Sequence, residues 1–471
     1  MKDLQMAWRN LWRNKRRTMI TAASVFFAVF FALVMRSFQL GAYDRMFKNI
    51  IESYSGYLQL QHKDYFDEPS IDNSFSVTPE VMEAISSDMN VEVIVPRLES
   101  FALAAAGSRT QGVIVMGIDP EKEPRVSDIK SRLLKYRLTE KAVEELKKET
   151  LPERTKNALD VFLNESFSGP GRLMIDLGIA DKDSSVIMPL LRKHAGFANN
   201  YFNSSDLGKV LIGNALSEYL KAGIGDTLVL VGQGYHGTSA AGCYVIKGIV
   251  KLPAPDIDNK IVYMTIGDAR QLYAAPEMST SVVLSLHDNK EESVLNTAGR
   301  LGKFIPADEV FRNWKELNAL LINQMDADNK SGMIMIGILY LVIAFGVFGT
   351  VLMMLAERTR EFGMLVSIGM QKRKLAIVVT MELLFVGFLG IIAGVIASLP
   401  VVFYGNIHPI RFTGEMGKMY EDYGFDPVMP TMLPDNYYLW QVFVVLLILL
   451  IAVIFSTRKI FRINVTKSLR A

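Results

Sequence analysis

Four stretches of the chain are apolar for longer than a buried helix of a soluble core needs. Thr18 to Met35 runs 18 residues without a charge, Ser331 to Ala356 runs 26, and Tyr437 to Thr457 runs 21. Leu375 to Tyr404 runs 30 residues, broken only by Glu382. A helix rises about 1.5 Å per residue and a bilayer core is about 30 Å thick, so each stretch predicts a membrane-spanning helix. The predicted bounds are 18–38, 331–356, 375–404 and 437–457.

Between the first two spans the pattern changes. Leu40, Tyr43, Phe47, Ile50, Ile51 and Tyr54 continue a helical stripe past the first span. Phe311, Trp314, Leu317, Leu321 and Met325 place another ahead of the second. These predict two stalk helices. In between, short β-favouring runs recur: Tyr57–Gln61, Val91–Val95, Gln111–Ile118, Thr227–Val231, Tyr244–Val250, Ile261–Thr265 and Ser281–Leu286. Thr78 reads as an N-cap ahead of Pro79, and Asn214 to Ala222 as a helix stopped by Gly223. Residues 127–206 are charged and helical, then rich in Ser, Gly and Asn, which marks an insertion or subdomain. The predicted fold is an α-helical membrane protein with four spans and a large α+β extracytoplasmic domain over 39–330, carried on stalk helices.

Composition adds little until it is resolved by segment. The 471 residues are 50% hydrophobic and 21% charged, with a formal net charge of +2. That excludes a disordered chain and argues against a nucleic-acid binder. The single cysteine, Cys243, excludes an internal disulfide framework. By segment, 1–17, 357–374 and 458–471 together carry +13, whereas 36–330 and 405–436 carry −10, and Glu382 supplies the remaining −1. Short basic segments alternating with acidic ones place both termini and 357–374 in the cytoplasm. Residues 1–17, with Leu4, Trp8, Leu11 and Trp12 at helical spacing among arginines, predict a helix lying in the membrane interface. The long charged leader, and the lack of an Ala-x-Ala-like site after Met35, make the first span an uncleaved anchor. The four prolines of 405–436 predict an ordered, irregular lid.

Candidate chemistry is sparse. Gly414-Glu415-Met416-Gly417-Lys418 lacks phosphate-loop spacing, no G-x-S-x-G elbow occurs, and no two of the five histidines share metal-ligand spacing. His236, flanked by glycines, reads as a surface-turn histidine. No catalytic, cofactor or metal residue is assigned. Glu382 is the one ionisable residue inside a span, a functional candidate by default. Two turns from Lys374, it reads more simply as a snorkelling or hydrogen-bonded structural group. Gly387, Gly390 and Gly394 form a small-residue packing face, for which Gly346, Gly349 and Thr350 of the second span offer a partner.

The segment Glu357-Arg358-Thr359-Arg360-Glu361-Phe362-Gly363-Met364-Leu365-Val366-Ser367-Ile368-Gly369 resembles the signature of the FtsX-like permeases, the membrane subunits of ATP-binding-cassette systems of the MacB and LolC/LolE class. Ala7-Trp8-Arg9-Asn10-Leu11 through Thr18 looks like that family's N-terminal motif, and the order of spans is the family's. Gly56-Tyr57-Leu58-Gln59-Leu60, Val95-Pro96-Arg97, Gly117-Ile118-Asp119-Pro120 and Ile212-Gly213-Asn214 look like the lipoprotein-releasing branch. The stretch between Pro120 and Val210 is longer than that branch leads one to expect.

Independently of the family, Phe362, Leu365, Ile368 and Gly369 can form one face of a short cytoplasmic helix, with Glu357, Arg358, Arg360 and Glu361 at its start and Gly363 permitting close approach. Such a helix can seat in a groove of a cytoplasmic ATPase. The resemblance implies two ATPase subunits that bind ATP and Mg, and a second permease chain, identical or paralogous. It implies residence in the bacterial inner membrane with the large domain periplasmic. It further implies a lipoprotein substrate passed from the outer leaflet to a periplasmic carrier, its acyl chains entering between the first two spans; depth in the membrane makes Met35, Phe38, Leu40, Met333, Ile336 and Tyr340 the candidate lining. Export of toxins or peptides in the manner of MacB, and signalling to a cell-wall hydrolase in the manner of FtsX, stay open as alternatives.

Overall fold

The structure, a computed structural model, describes residues 15–412, 416–417, 419–420 and 428–461. The interfacial helix expected over 1–17 and the tail 458–471 lie mostly outside those residues, as does most of Gly414–Lys418. The chain forms two compact units.

The membrane unit is built on four long helices, Lys15–Ile50, Ala319–Glu357, Lys372–Ile407 and Asn436–Phe461. Each contains a stretch long and apolar enough to cross a membrane. The chain is thus a helical membrane protein, with four candidate spans among the described residues. Its core gathers Val25, Ala28, Val29 and Leu33 of the first helix with Leu383 and Ile391 of the third and Val445 and Leu449 of the fourth.

Glycines decide how closely these helices approach. A Cβ placed on Gly390 would lie 2.7 Å from both the Ala22 carbonyl oxygen and the Val25 Cβ, and one on Gly394 would lie 2.9 Å from the Phe26 carbonyl oxygen. A Cβ on Gly387 would meet Leu449 of the fourth helix at 2.0 Å. The small-residue face of the third helix therefore receives the first and fourth helices. The partner face expected on the second is absent: a Cβ on Gly346 or Gly349 would meet nothing within 4 Å.

The expected lid is partly a strap. Short strands Ile410–Arg411 and Val428–Met429 pair antiparallel. Beyond them Met432 exchanges two hydrogen bonds with Ser37, its N–H donating at 2.9 Å and its carbonyl accepting from Ser37 Oγ at 2.7 Å. Thr431, 1% exposed, donates to the Val402 carbonyl at 2.6 Å. A Cβ on Gly41 would collide with this strap at Pro430. Glycine at 41 is what admits it.

The second unit is an α+β domain. Its strands are β1 (Leu58–His62), β2 (Val91–Ala106), β3 (Arg109–Ile118), the two-residue β4 and β5 (Tyr136–Arg137 and Ser166–Phe167), β6 (Lys209–Gly213), β7 (Thr227–Gln233), β8 (Ser239–Val250), β9 (Ile261–Thr265), β10 (Ser281–Leu286) and β11 (Glu309–Asn313). The large sheet runs β11-β1-β10-β2-β3-β9-β6-β8-β7, and β7 pairs back onto β2. Six strands therefore close into a ring. Its interior is filled by Leu98, Ala104, Val113, Val115, Ile212, Leu228, Leu230, Ile246 and Met264.

β2 serves both the open arm of the sheet and the ring because its alternation slips at Arg97 and Leu98, two consecutive buried residues. Before the slip it pairs with β10 and after it with β3 and β7. This is why the strand exceeds the expected Val91–Val95 threefold. Residues 136–195 hold a helical core of their own, including Leu138, Leu146, Leu159, Leu173 and Leu191.

Three expectations need correcting. Phe311 belongs to a strand: it pairs with Leu60 and is buried, so alternation prevailed over the helical stripe there. Asn313 then caps a single turn, Trp314–Leu317, and the helix breaks at Asn318 before Ala319. The first stalk helix ends at Ile50 and closes in a π-helical turn, Ile51–Ser55, before Gly56 at φ +65°. The helix from Asn214 stops at Leu220 with Lys221 at φ +54°, while the Gly223 N–H donates to Asp226.

Because backbone and a branched side chain oppose Gly390 and Gly394, Gly390→Ala and Gly394→Ala should each destabilise the purified chain by about 1–3 kcal/mol. Gly349→Ala should leave it unchanged or slightly more stable. Thermal unfolding in detergent reads this directly, and equal effects at 390 and 349 would contradict the packing described.

Candidate functional site: the helical turn between the second and third spans

The second membrane helix ends at Glu357, and the chain turns at Arg358 (φ −97°, ψ 5°) into a short helix, Thr359–Ser367. This helix ends in a Schellman motif. The Met370 N–H bonds to the Leu365 carbonyl at 3.0 Å and the Gly369 N–H to the Val366 carbonyl at 3.1 Å, with Gly369 at φ +105°. Leu365 and Met370, the apolar pair such a cap brings together, both pack on the membrane core. Gly369 thus stops the helix. The third membrane helix begins three residues later at Lys372.

Arg358 turns inward. Its Nη1 donates to both carboxylate oxygens of Glu382, at 2.9 and 2.7 Å, and its Nε to Glu361 at 3.3 Å. The guanidinium carbon lies 5.1 Å from the centre of the Phe362 ring. Arg358 is 5% exposed, Glu382 3% and Phe362 1%. Taking either charge alone out of water is costly, and the pair is tolerable because both Glu382 oxygens accept from Nη1 while Glu361 accepts from Nε. Glu382 therefore does not snorkel toward Lys374. It is the buried anchor of the turn, reached from 24 residues away.

This changes the expected contact face. Phe362 and Leu365, three residues apart, do share a face, but that face is buried or half-buried against the chain's own membrane core, with Gly363 beside it. Ile368 lies one residue past the helix and is 84% exposed. It falls with Met364, 45% exposed, and with Glu357, Arg360 and Gly369 on the outward side. The surface open to a partner is therefore Glu357, Arg360, Met364 and Ile368. Glu361 is half-buried at its margin.

The expected acyl-chain lining is not brought together. Phe38 points to the third helix, 3.6 Å from a Cβ built on Gly405. Met333 is 53% exposed and Ile336 5%. Met35, Leu40 and Tyr340 are half-buried, Tyr340 against the membrane core. Near these positions a polar seam joins the first two helices instead. Arg36 Nη1 donates to Gln39 Oε1 at 2.7 Å and to Asn329 Oδ1 at 2.8 Å, Gln39 donates to the Tyr43 hydroxyl at 3.2 Å, and Tyr43 donates to Asp328. The spacing of Arg36, Gln39 and Tyr43 was a legible polar stripe that attention to apolar positions passes over. Among the described residues no three His, Cys, Asp or Glu side chains cluster as a metal site would require.

Among the described residues the chain thus combines four candidate spans, a large α+β domain after the first, and a clamped helical turn between the second and third. Residues 333–465 match the FtsX-like permease C-terminal family, and this C-terminal half of the membrane unit is an FtsX-like permease domain. Permeases of this family are membrane subunits of ATP-binding-cassette transporters and work with ATPase partners.

Among curated proteins the chain is similar to the lipoprotein-releasing system transmembrane protein LolC of Neisseria meningitidis serogroup B, 23% identical over 199 residues. That match takes in 40% of this chain and 47% of the relative, so the chain spans about half the length of the curated relative it matches. Among solved structures, the periplasmic region of MacB from Actinobacillus actinomycetemcomitans aligns at 9% identity and a TM-score of 0.32, covering 59% of this chain and 98% of that one. The extracellular domain of the noncanonic ABC-type transporter YknZ from Gram-positive bacteria aligns at 10% identity and a TM-score of 0.28, covering 55% and 100%.

Removing one partner of a buried ion pair strands the other charge, so Arg358→Leu and Glu382→Leu should each cost about 3–5 kcal/mol. The double variant, with two apolar side chains in the same space, should return to within about 1 kcal/mol of the parent. Thermal unfolding of the three purified variants checks this. Singles that unfold like the parent would show the pair to be incidental.

Proposed function

We propose that the chain is the permease subunit of an ATP-driven transporter in the bacterial inner membrane, and that helix 359–367 and the third span move as one body when a cytoplasmic ATPase engages Arg360, Met364 and Ile368. The observation that carries this reading is the buried Arg358–Glu382 pair, which fastens the turn to the third span while leaving an exposed apolar and charged face. The charge sidedness supports a cytoplasmic position for this face and a periplasmic one for the α+β domain. Two ATPase subunits would press on two such turns, one in each of two permease chains, identical or paralogous. ATP and Mg belong to the ATPase.

The cargo we infer is a lipoprotein taken from the outer leaflet and passed to a periplasmic carrier. Similarity to a protein named as part of a lipoprotein-releasing system supports it. Acyl chains would enter between the first two spans, each CH₂ taken out of water contributing about 0.8 kcal/mol.

Two measurements test the reading. Met364→Glu with Ile368→Glu puts carboxylates on the docking face without touching the buried pair, so it should abolish ATPase binding and stimulation while membrane insertion and thermal stability persist. Unchanged stimulation would refute docking at this turn. The nucleotide-free complex, purified from native membranes, should carry acylated protein that leaves on adding ATP and carrier. A cell-wall hydrolase or a soluble peptide in its place would replace lipoprotein release with signalling or export.

A further inference from the structure

The polar seam contains a cation without a counter-charge. Arg36 is half-buried, and among the described residues no carboxylate lies within salt-bridge distance of it. Its two hydrogen bonds, to Gln39 Oε1 and Asn329 Oδ1, both leave from Nη1 and both end on neutral amides. The Asp328 carboxylate is engaged by the Tyr43 hydroxyl. Nε and Nη2, the side-on edge of the guanidinium, donate to nothing among the described residues. Pinning Nη1 on two amides fixes the fork while leaving that edge open, which is how arginine is presented to a tetrahedral oxyanion in bidentate fashion.

The depth of the site narrows the ligand. Arg36 directly follows the uncharged run Thr18–Met35, so it stands where hydrocarbon gives way to headgroups. A second polar atom lies deeper: Tyr340, about two turns along the second helix from the Gly332 that meets Gln39, has a buried hydroxyl with no hydrogen-bond partner among the described residues. A donor for an anion at the boundary and another beneath it match the phosphate and the ester carbonyl of a glycerophospholipid, in that order of depth.

We propose that Arg36, held by Gln39 and Asn329, and Tyr340 form an interhelical site for a phosphate group, supplied by a membrane phospholipid whose ester carbonyl accepts from Tyr340. The site is independent of which cargo the transporter moves. A bound phospholipid would supply the anion that Arg36 lacks at the junction of the first two spans.

Native mass spectrometry of the full chain, delipidated in detergent and titrated with phosphatidylglycerol, tests this. Arg36→Gln should weaken lipid binding roughly tenfold or more, the loss expected when charge-assisted hydrogen bonds are removed. Arg36→Lys, which keeps the charge but not the fork, should fall between, and Tyr340→Phe should lose less than Arg36→Gln. Diacylglycerol, with the same chains and no phosphate, should not bind. Inorganic phosphate that displaces the lipid and binds the parent equally well would make free phosphate the ligand and overturn the lipid assignment. Parent-like binding by Arg36→Gln of unchanged thermal stability, or equal binding of diacylglycerol, would overturn the site itself.

Discussion

A guanidinium and a carboxylate buried against each other at the edge of a membrane bundle constrain everything around them. Neither Arg358 nor Glu382 has another charge of opposite sign so fully desolvated with it, and their two short hydrogen bonds fix both the rotation of the short helix and its distance from the third span. Phe362 then has one place to go, beneath the guanidinium and into the core. With that face spent inward, the other side of the helix is what remains for a partner. The Schellman stop at Gly369 sets the length of the turn, so that Lys372 can begin the next membrane helix at once.

The third helix is the hub of the membrane unit for related reasons. Its glycines let the first helix approach to backbone contact at 390 and 394 and the fourth helix insert Leu449 at 387, while Glu382 holds the turn. Further along, Val402 and Asn406 bond the Thr431 strap, which in turn bonds Ser37 of the first helix. Among the described residues no glycine of the second helix is opposed by backbone: its Gly332 faces only the flexible end of Gln39, where a Cβ would lie 2.1 Å from Nε2. The second helix meets the first through hydrogen bonds at Arg36, Gln39, Asn329 and the Tyr43–Asp328 pair. Polar contacts of this kind can exchange partners, as interlocked backbones cannot, so the junction of the first two spans is the more separable one.

Local signals were legible in the sequence and distant pairings were not. The four spans follow from uninterrupted apolar length, Ile261–Thr265 and Ser281–Leu286 from β-branched runs bounded by turn residues, and Thr78 from its position ahead of Pro79. Each depends on residues within a few positions of one another. The Arg358–Glu382 pair spans 24 positions and the closure of β2 on β7 joins Leu103 to Val231, so neither leaves a periodic trace. Phe311, Trp314 and Leu317 keep a helix-like spacing of three, whereas the strand that holds Phe311 is set by its neighbour β1, which is far away in sequence. The coupling face was half legible: the spacing of 362 and 365 was right, but only the fold shows that this face is occupied by the chain itself.

The central claim is that the turn and the third span move as one body. Pulsed electron–electron resonance between spin labels on Ser367→Cys and Ile396→Cys, both exposed positions, measures it in a chain whose native Cys243 is replaced by serine. With the ATPase bound, the account predicts one narrow distance distribution that stays the same before and after ATP binding. A distribution that shifts or splits by several ångströms on ATP binding would contradict it.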